Sequence, residues 1–176
     1  MINKTVFKFL GGGAVLILLG AAALYAPGYW QKYQVDKAIA ELERPYREDV
    51  YGGKTPEETF DMFLDALKNG DIELASKYFA VRKQTEYKEK FEKMRDDGIL
   101  AGQIQEWERA RKEWIKVVDE YNDWKKRATV RYASFLEEKI VDDRLGMPVI
   151  FEPGEYASDI IFDLNELTSI WKITSL

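Results

Sequence analysis

Between Phe9 and Gln31 the chain runs for 23 residues without a charged side chain. Nothing else in the sequence restricts the fold so strongly. Drawn out as a helix, the run reaches about 34 Å, enough to cross a hydrocarbon core of about 30 Å. Its centre, "AVLILLGAAALYA", is apolar throughout. Lys4 and Lys8 flank the front, and Tyr25, Tyr29, Trp30 and Tyr33 cluster at the far end, where amphipathic rings favour the headgroup layer. The expectation is a single-pass transmembrane helix over 9–31, with residues 1–8 cytoplasmic by the positive-inside rule and the rest extracytoplasmic. The alternative is a secretory signal peptide cleaved near Ala21-Ala22-Ala23, which would release a secreted domain. The glycines at 11–13 and Gly20 also give the run a small-residue face suited to helix pairing, so self-association within the membrane is a candidate interaction.

Beyond the run, Val35, Ile39 and Leu42 keep helical spacing and read as a stalk. Pro45, Gly52-Gly53 and Pro56 then punctuate the chain, so 32–54 reads as stalk and linker and 55–176 as the domain. From residue 32 onward there are 24 basic and 31 acidic side chains, a net charge of −7, which offers nucleic acid no electrostatic footprint. The chain has no His and no Cys. That excludes a Ser-His-Asp triad, a thiolate nucleophile, disulfides and imidazole metal ligation. No catalytic residue, metal or cofactor is assigned. Any acid–base chemistry would fall to Asp, Glu, Tyr or Lys.

The domain opens on a strong helix start, with Thr55 as N-cap, Pro56 at the first helical position and Glu58 completing a capping box. Phe60, Phe63, Leu64 and Leu67 then mark one buried face. "NGD" ends the helix, Gly70 taking the left-handed position and Asp71 capping a short second helix that carries Ile72, Ala75, Tyr78 and Phe79. A charged third helix, with Tyr87, Phe91 and Met94 on one side, stops at Gly98. After a further helix from Leu100, the segments "ATVRYASFLEEKI", "PVIFE", "YASDIIFDL" and "SIWKITSL" turn β-branched and aromatic. Helices followed by strands on short turns predict an α+β fold, several helices packed on one face of an antiparallel sheet.

The stretch "WERARKEWIKVVDEYNDW" holds three of the five tryptophans. Positions 107, 110, 114, 117, 121 and 124 make a heptad-like seam too short for a free coiled coil. It reads as a helix ending near 118–122 whose aromatic face closes the core. A partner-facing stripe and a ligand pocket are the other two readings, and exposure of Trp107 would favour the stripe.

"TPEETFDMFLDALKNGDIELASKYF" resembles the opening of the nuclear-transport-factor-2-like (cystatin-like cone) superfamily, with a closer likeness to bacterial membrane-anchored and lipoprotein members of unknown function. The matching positions are Pro56, Phe60, Phe63, Ala66, Leu67, the Gly70-Asp71 corner, Ala75, Tyr78 and Phe79, with Trp171 and Ile173 in the closing "SIWKITSL". The likeness covers residues 55–80 and 168–176. It implies a curved sheet wrapped by helices into a cone with an inner cavity. Such folds serve isomerases, dehydratases, transport adaptors and secretion scaffolds, so the fold alone assigns no activity. The Asp, Tyr and second acid of the isomerase type have no matching motif here.

Tyr78, Tyr132 and Trp171 are the candidates for lining a cone cavity, or for filling it as core, and Trp107 for meeting a partner. Asp159 and Asp163 alternate around Ile160, Ile161 and Phe162, which points both to the solvent side of a strand. The expectation is a membrane-anchored binding or assembly module with a protein partner and no catalytic activity, one version being a scaffold like the bitopic subunit of type IV secretion machines, although that family's Asn-Pro-x-Gly motif is absent. The competing class is a small-ligand carrier or an isomerase- or dehydratase-like enzyme using the cavity.

Overall fold

The computed structural model describes residues 28–118, 124–136, 139–142 and 149–176. The expected transmembrane run lies outside the described residues as far as residue 27, and with it Lys4, Lys8 and Tyr25. Among the described residues no helix is long and apolar enough to cross a membrane. The chain divides into two compact units, Met1–Pro45 and Tyr46–Leu176. In the first, the described residues from 28 onward are helical (α1) and exposed along almost their whole length. Trp30 and Tyr33 sit one turn apart on it, ring centroids 5.8 Å apart. The helix continues past Pro45 to residue 47.

The second unit begins with α2, Pro56–Lys68, whose start follows the expected chemistry. The Thr55 hydroxyl accepts from the Glu58 N–H at 3.1 Å, and the Glu58 carboxylate reaches back to the Lys54 N–H at 2.6 Å. Gly70 lies at φ +74°, a conformation that favours glycine, and the Asp71 carboxylate caps α3, Ile72–Lys77, through the Leu74 N–H at 2.9 Å. A 3-10 turn, Val81–Lys83, leads into α4, Gln84–Asp96, which stops before Gly98, and α5 follows at Leu100–Glu113.

The strands are β1, Ile115–Val117, β2, Arg127–Leu136, β3, Ile140–Asp142, β4, Val149–Phe151, β5, Gly154–Asn165, and β6, Ile170–Ser175. β1-β2-β5-β6 form one antiparallel sheet and β3-β4 a separate hairpin. The fold is therefore α+β, with five helices including the 3-10 turn packed on a four-stranded antiparallel sheet. Alternation sorts the sheet's two faces. Ala128, Val130, Ile160 and Phe162 point into the helices and are fully buried. Arg127, Arg131, Asp159 and Asp163 take the intervening positions on the other face.

Two boundaries differ from the sequence reading. The second unit starts at Tyr46 rather than residue 55, because 46–53 lies against the sheet and α2. The Gly53 carbonyl accepts the Trp171 N–H at 2.9 Å, and the Asn165 amide donates to the Tyr46 carbonyl at 2.7 Å. The Gly52-Gly53 pair is thus a close-approach device and not a free linker. A Cβ on Gly53 would stand 2.7 Å from Glu58 Cβ and 2.8 Å from the Thr59 nitrogen, while one on Gly52 would meet the Trp171 carbonyl. The second difference is α5, which ends at Glu113 and not near 118–122. Trp114 is already extended (φ −63°, ψ 147°), and "IKV" forms β1 against Thr129–Arg131. β-branched Ile115 and Val117 fit a sheet edge better than a helix, and cross-strand pairing outweighs the heptad-like spacing.

Candidate functional site

The space between helices and sheet, where a cone cavity would lie, is filled by rings. Phe63 is in ring contact with Phe60, Phe79, Phe91 and Trp107, all at centroid distances between 5.4 and 5.6 Å. Trp114 reaches Phe60 at 5.2 Å and Phe162 at 6.1 Å. Phe60, Phe63, Phe79, Phe91 and Phe162 have no solvent exposure at all. Tilted and edge-on geometries of this kind are how aromatic rings pack an interior.

The four candidate residues fall within or beside this cluster. Trp107 is 3% exposed, which removes the observation that would have favoured a partner-facing stripe at its position. Tyr78 and Trp171 are buried too, and Tyr132 is half-buried. Burial pushes the Tyr132 hydroxyl above its ordinary pKa, with the Glu106 charge adding to the shift, while hydrogen bonding with Ser158 and the Trp107 indole opposes it. Trp107 and Tyr132 are therefore brought together. The Tyr78 hydroxyl is also raised, chiefly by burial and then by Asp71. Of the remaining seam, Val117 lies in β1 and Tyr121 lies outside the described residues. Trp124 sits at φ +59° and donates its indole N–H to the Val117 carbonyl at 2.9 Å. Tyr29, Trp30 and Tyr33 are exposed on α1.

Lys172 is a buried charge that no local sequence pattern reveals. It is 3% exposed, and its ammonium has three oxygen partners: the Asp49 carboxylate at 2.6 Å, the Tyr51 carbonyl at 2.5 Å and the Lys77 carbonyl at 2.6 Å. The Asp49 contact is a close ion pair lying off the line of a hydrogen bond, and the other Asp49 oxygen accepts from the Tyr51 N–H at 3.1 Å. Burial lowers the Lys172 pKa, and Asp49 opposes that shift. The one hint in the sequence is a lysine set between Trp171 and Ile173. Its backbone acceptors, however, lie 95 or more residues away along the chain. Two of its donors are spent on backbone carbonyls and its charge is met by Asp49, so the ammonium serves to close the fold.

On the sheet's outer face two rungs pair directly opposite residues. Arg127 grips Asp163 at 2.7 and 3.1 Å, and Arg131 grips Asp159 at 2.7 and 2.8 Å. Asp159 and Asp163 are thus occupied by arginines and do not form an acid pair. Among the described residues no group of acidic side chains is placed to hold a metal ion. Among the described residues, shallow grooves open beside two of these strands. One, of about 350 Å³, is lined by Lys126, Arg127, Asp163, Leu164 and Glu166, where Lys126 is already bound to Glu166 at 2.8 Å. The other, of about 300 Å³, lies between the α5–β1 junction and the β2–β5 ribbon. Comparison with known proteins adds no assignment: no family model, curated protein or solved structure matches the chain.

Proposed function

We propose that the chain is a membrane-anchored, extracytoplasmic binding or assembly module without catalytic activity. The observation that carries this reading is the ring-packed interior. A carrier or an isomerase-like enzyme of the cone type needs an open cavity with a few placed polar groups, and here Phe60, Phe63, Phe91, Trp107 and Phe162 take up that space. Tyr78 and Trp171 belong to the same buried cluster. The nuclear-transport-factor-2-like likeness and its cone-shaped, curved sheet stand as part of the proposal, supported by helices layered on an antiparallel sheet. The anchor reading rests on the uncharged run at 9–31 with Lys4 and Lys8 before it and the aromatic belt after it.

In this reading the anchor confines the domain to the membrane surface, which raises its effective concentration toward membrane partners without any added contact. Crosslinking of the full chain in native membranes, followed by identification of the crosslinked proteins, tests it. A specific partner is expected. Recovery of none would sink the module reading, and a mature N-terminus at residue 24 would replace the anchor by a cleaved signal.

A further inference from the structure

We propose that the open edge of β2 beyond Arg131, with the groove beside it, binds an extended peptide segment of a partner protein as an added strand, and that the segment alternates basic and apolar side chains. The inference rests on the binding-module reading and names its partner class.

β2 is ten residues long, but on its outer side it pairs with β1 only at Thr129, Val130 and Arg131. The N–H and C=O of one strand residue point to the same side, and Arg131 faces Ile115 across that edge. Ala133 and Phe135 therefore direct their backbone groups outward as well. Arg109 supports that direction, reaching the Ala133 carbonyl from α5 at a long 3.4 Å. No other partner meets these outward groups among the described residues. The β6 edge is treated differently, being met by Gly53 and by Tyr78–Ala80. Unpaired strand edges template further pairing, which is why proteins ordinarily cover them.

The groove makes this edge a site. Opposite residues of an antiparallel pair share a face, so Ala133 and Ala157 form a small-residue floor between the Arg131–Asp159 rung and the Phe135–Glu155 pair. Ile115, 63% exposed, supplies an apolar wall, and Phe135 stands exposed at the far side. Glu113 and Glu155 line the groove, and neither carboxylate has a counter-ion among the described residues. The β5 side of the ribbon is also unpaired before Ile161, but the α5–β1 junction that carries Glu113 and Ile115 stands over the β2 side. A strand laid on β2 would hydrogen-bond to Ala133 and Phe135 and turn its basic side chains to the groove face, their methylene stems over the alanine floor and their cations at the two carboxylates, with its apolar side chains on the opposite face. This is strand addition with charge-coded specificity.

The test uses the full chain in detergent and two synthetic peptides, one alternating lysine and valine, the other glutamate and valine. The lysine–valine peptide is expected to slow hydrogen exchange at the Ala133 and Phe135 amides, and the glutamate–valine peptide to leave them unchanged. Ala133→Pro removes an outward donor without touching the β5 ladder and should abolish the protection. If that variant fails to fold, the double change Glu113→Lys and Glu155→Lys tests the same point, weakening binding by about tenfold at low salt and less at high salt. Protection elsewhere, equal protection by both peptides, or binding indifferent to these substitutions would overturn the proposal. So would concentration-dependent protection of the same amides without peptide, which would assign the edge to a second copy of this chain. A partner crosslinked at another surface would remove this inference while leaving the module reading intact.

Discussion

The two edges of the sheet use the same chemistry to opposite ends. At β6 a cation, an aspartate and several backbone groups are buried together, and the edge is closed. At β2 a cation and an aspartate pair in the open, and beyond them Arg109, at a long 3.4 Å, is the one group among the described residues that meets the outward backbone. Lys172 meets Asp49 with both side chains 3% exposed, whereas Arg131 and Asp159 are 47% and 34% exposed. Burial, more than the pairing itself, decides what each contributes. An exposed pair exchanges one set of water contacts for a weak, screened attraction. A buried pair cannot be broken singly without stranding a charge. The closed edge is thus a structural seam that ties 49–53, α3 and β6 together, while the open edge is available for recognition.

The sharpest way to break this comparison is Lys172→Ala. It strands the Asp49 carboxylate and frees the Tyr51 and Lys77 carbonyls, so a destabilisation of about 3–5 kcal/mol is expected in chemical denaturation. Adding Asp49→Leu should recover part of that loss, since the second change removes the stranded charge. A loss under about 1 kcal/mol for Lys172→Ala would mean that water reaches the pair and that the β6 edge is not closed.

Gly53→Ala is next, and here the sign of the effect discriminates. In a flexible linker the change would be neutral or would stabilise by about 0.4–1 kcal/mol through the unfolded state. Against Glu58 and the Thr59 backbone the new methyl forces a shift, so a loss of about 1–3 kcal/mol is expected. Thr59 shows why this spot tolerates so little movement. Its fully buried hydroxyl accepts the Gly53 N–H at 2.9 Å and shares its proton between the Thr55 and Trp171 carbonyls, at 3.1 and 3.0 Å.

These residues also mark how far the sequence can be read. The Thr55 cap, the Gly70-Asp71 corner, the stop at Gly98 and the outward Asp159 and Asp163 all depend on neighbours within a few residues or on strand alternation, and local patterns carry them. The end of α5 falls short of the expected position because helical spacing continues through Val117 while cross-strand pairing with Thr129–Arg131 decides the outcome. The Gly-Gly pair reads as part of a linker because glycine permits both flexibility and close approach, and only the position of β6 distinguishes them. The groove beside Ala133 has no signal of its own, being made by register between strands more than 20 residues apart. The partial legibility of the site follows from that: Trp107 and Tyr132 are visible as aromatic residues, but their burial is not.

On the outer face, acid titration reports on the Arg127–Asp163 rung. Desolvation alone would raise the Asp163 pKa, but hydrogen bonds from Arg127 and Thr174 and the arginine charge outweigh it and hold the carboxyl below its ordinary value. A carboxyl lowered in the folded state contributes stability that is complete above its unfolded pKa of about 3.9 and is lost as pH falls through the folded value. The stability gap between the wild-type chain and Asp163→Asn is therefore expected to narrow as pH falls below about 4. Urea midpoints taken from about pH 6 downward would show it. A gap constant with pH would mean that Arg127 does not hold the carboxylate.

The smallest effect belongs to Arg131→Ala, and its smallness is what the open edge requires. The rung it removes is bidentate and in register, yet both partners face water, so a double-mutant cycle with Asp159→Ala should return a coupling of about 0.2–1 kcal/mol that shrinks with added salt. The two backbone edges respond differently to the same kind of deletion because solvent can take over from Arg131 and cannot take over from Lys172. A coupling of about 3 kcal/mol or more would put this rung in the buried class. That value would mean something already covers the outer face at Arg131, and the edge beyond it would not be free to accept another strand.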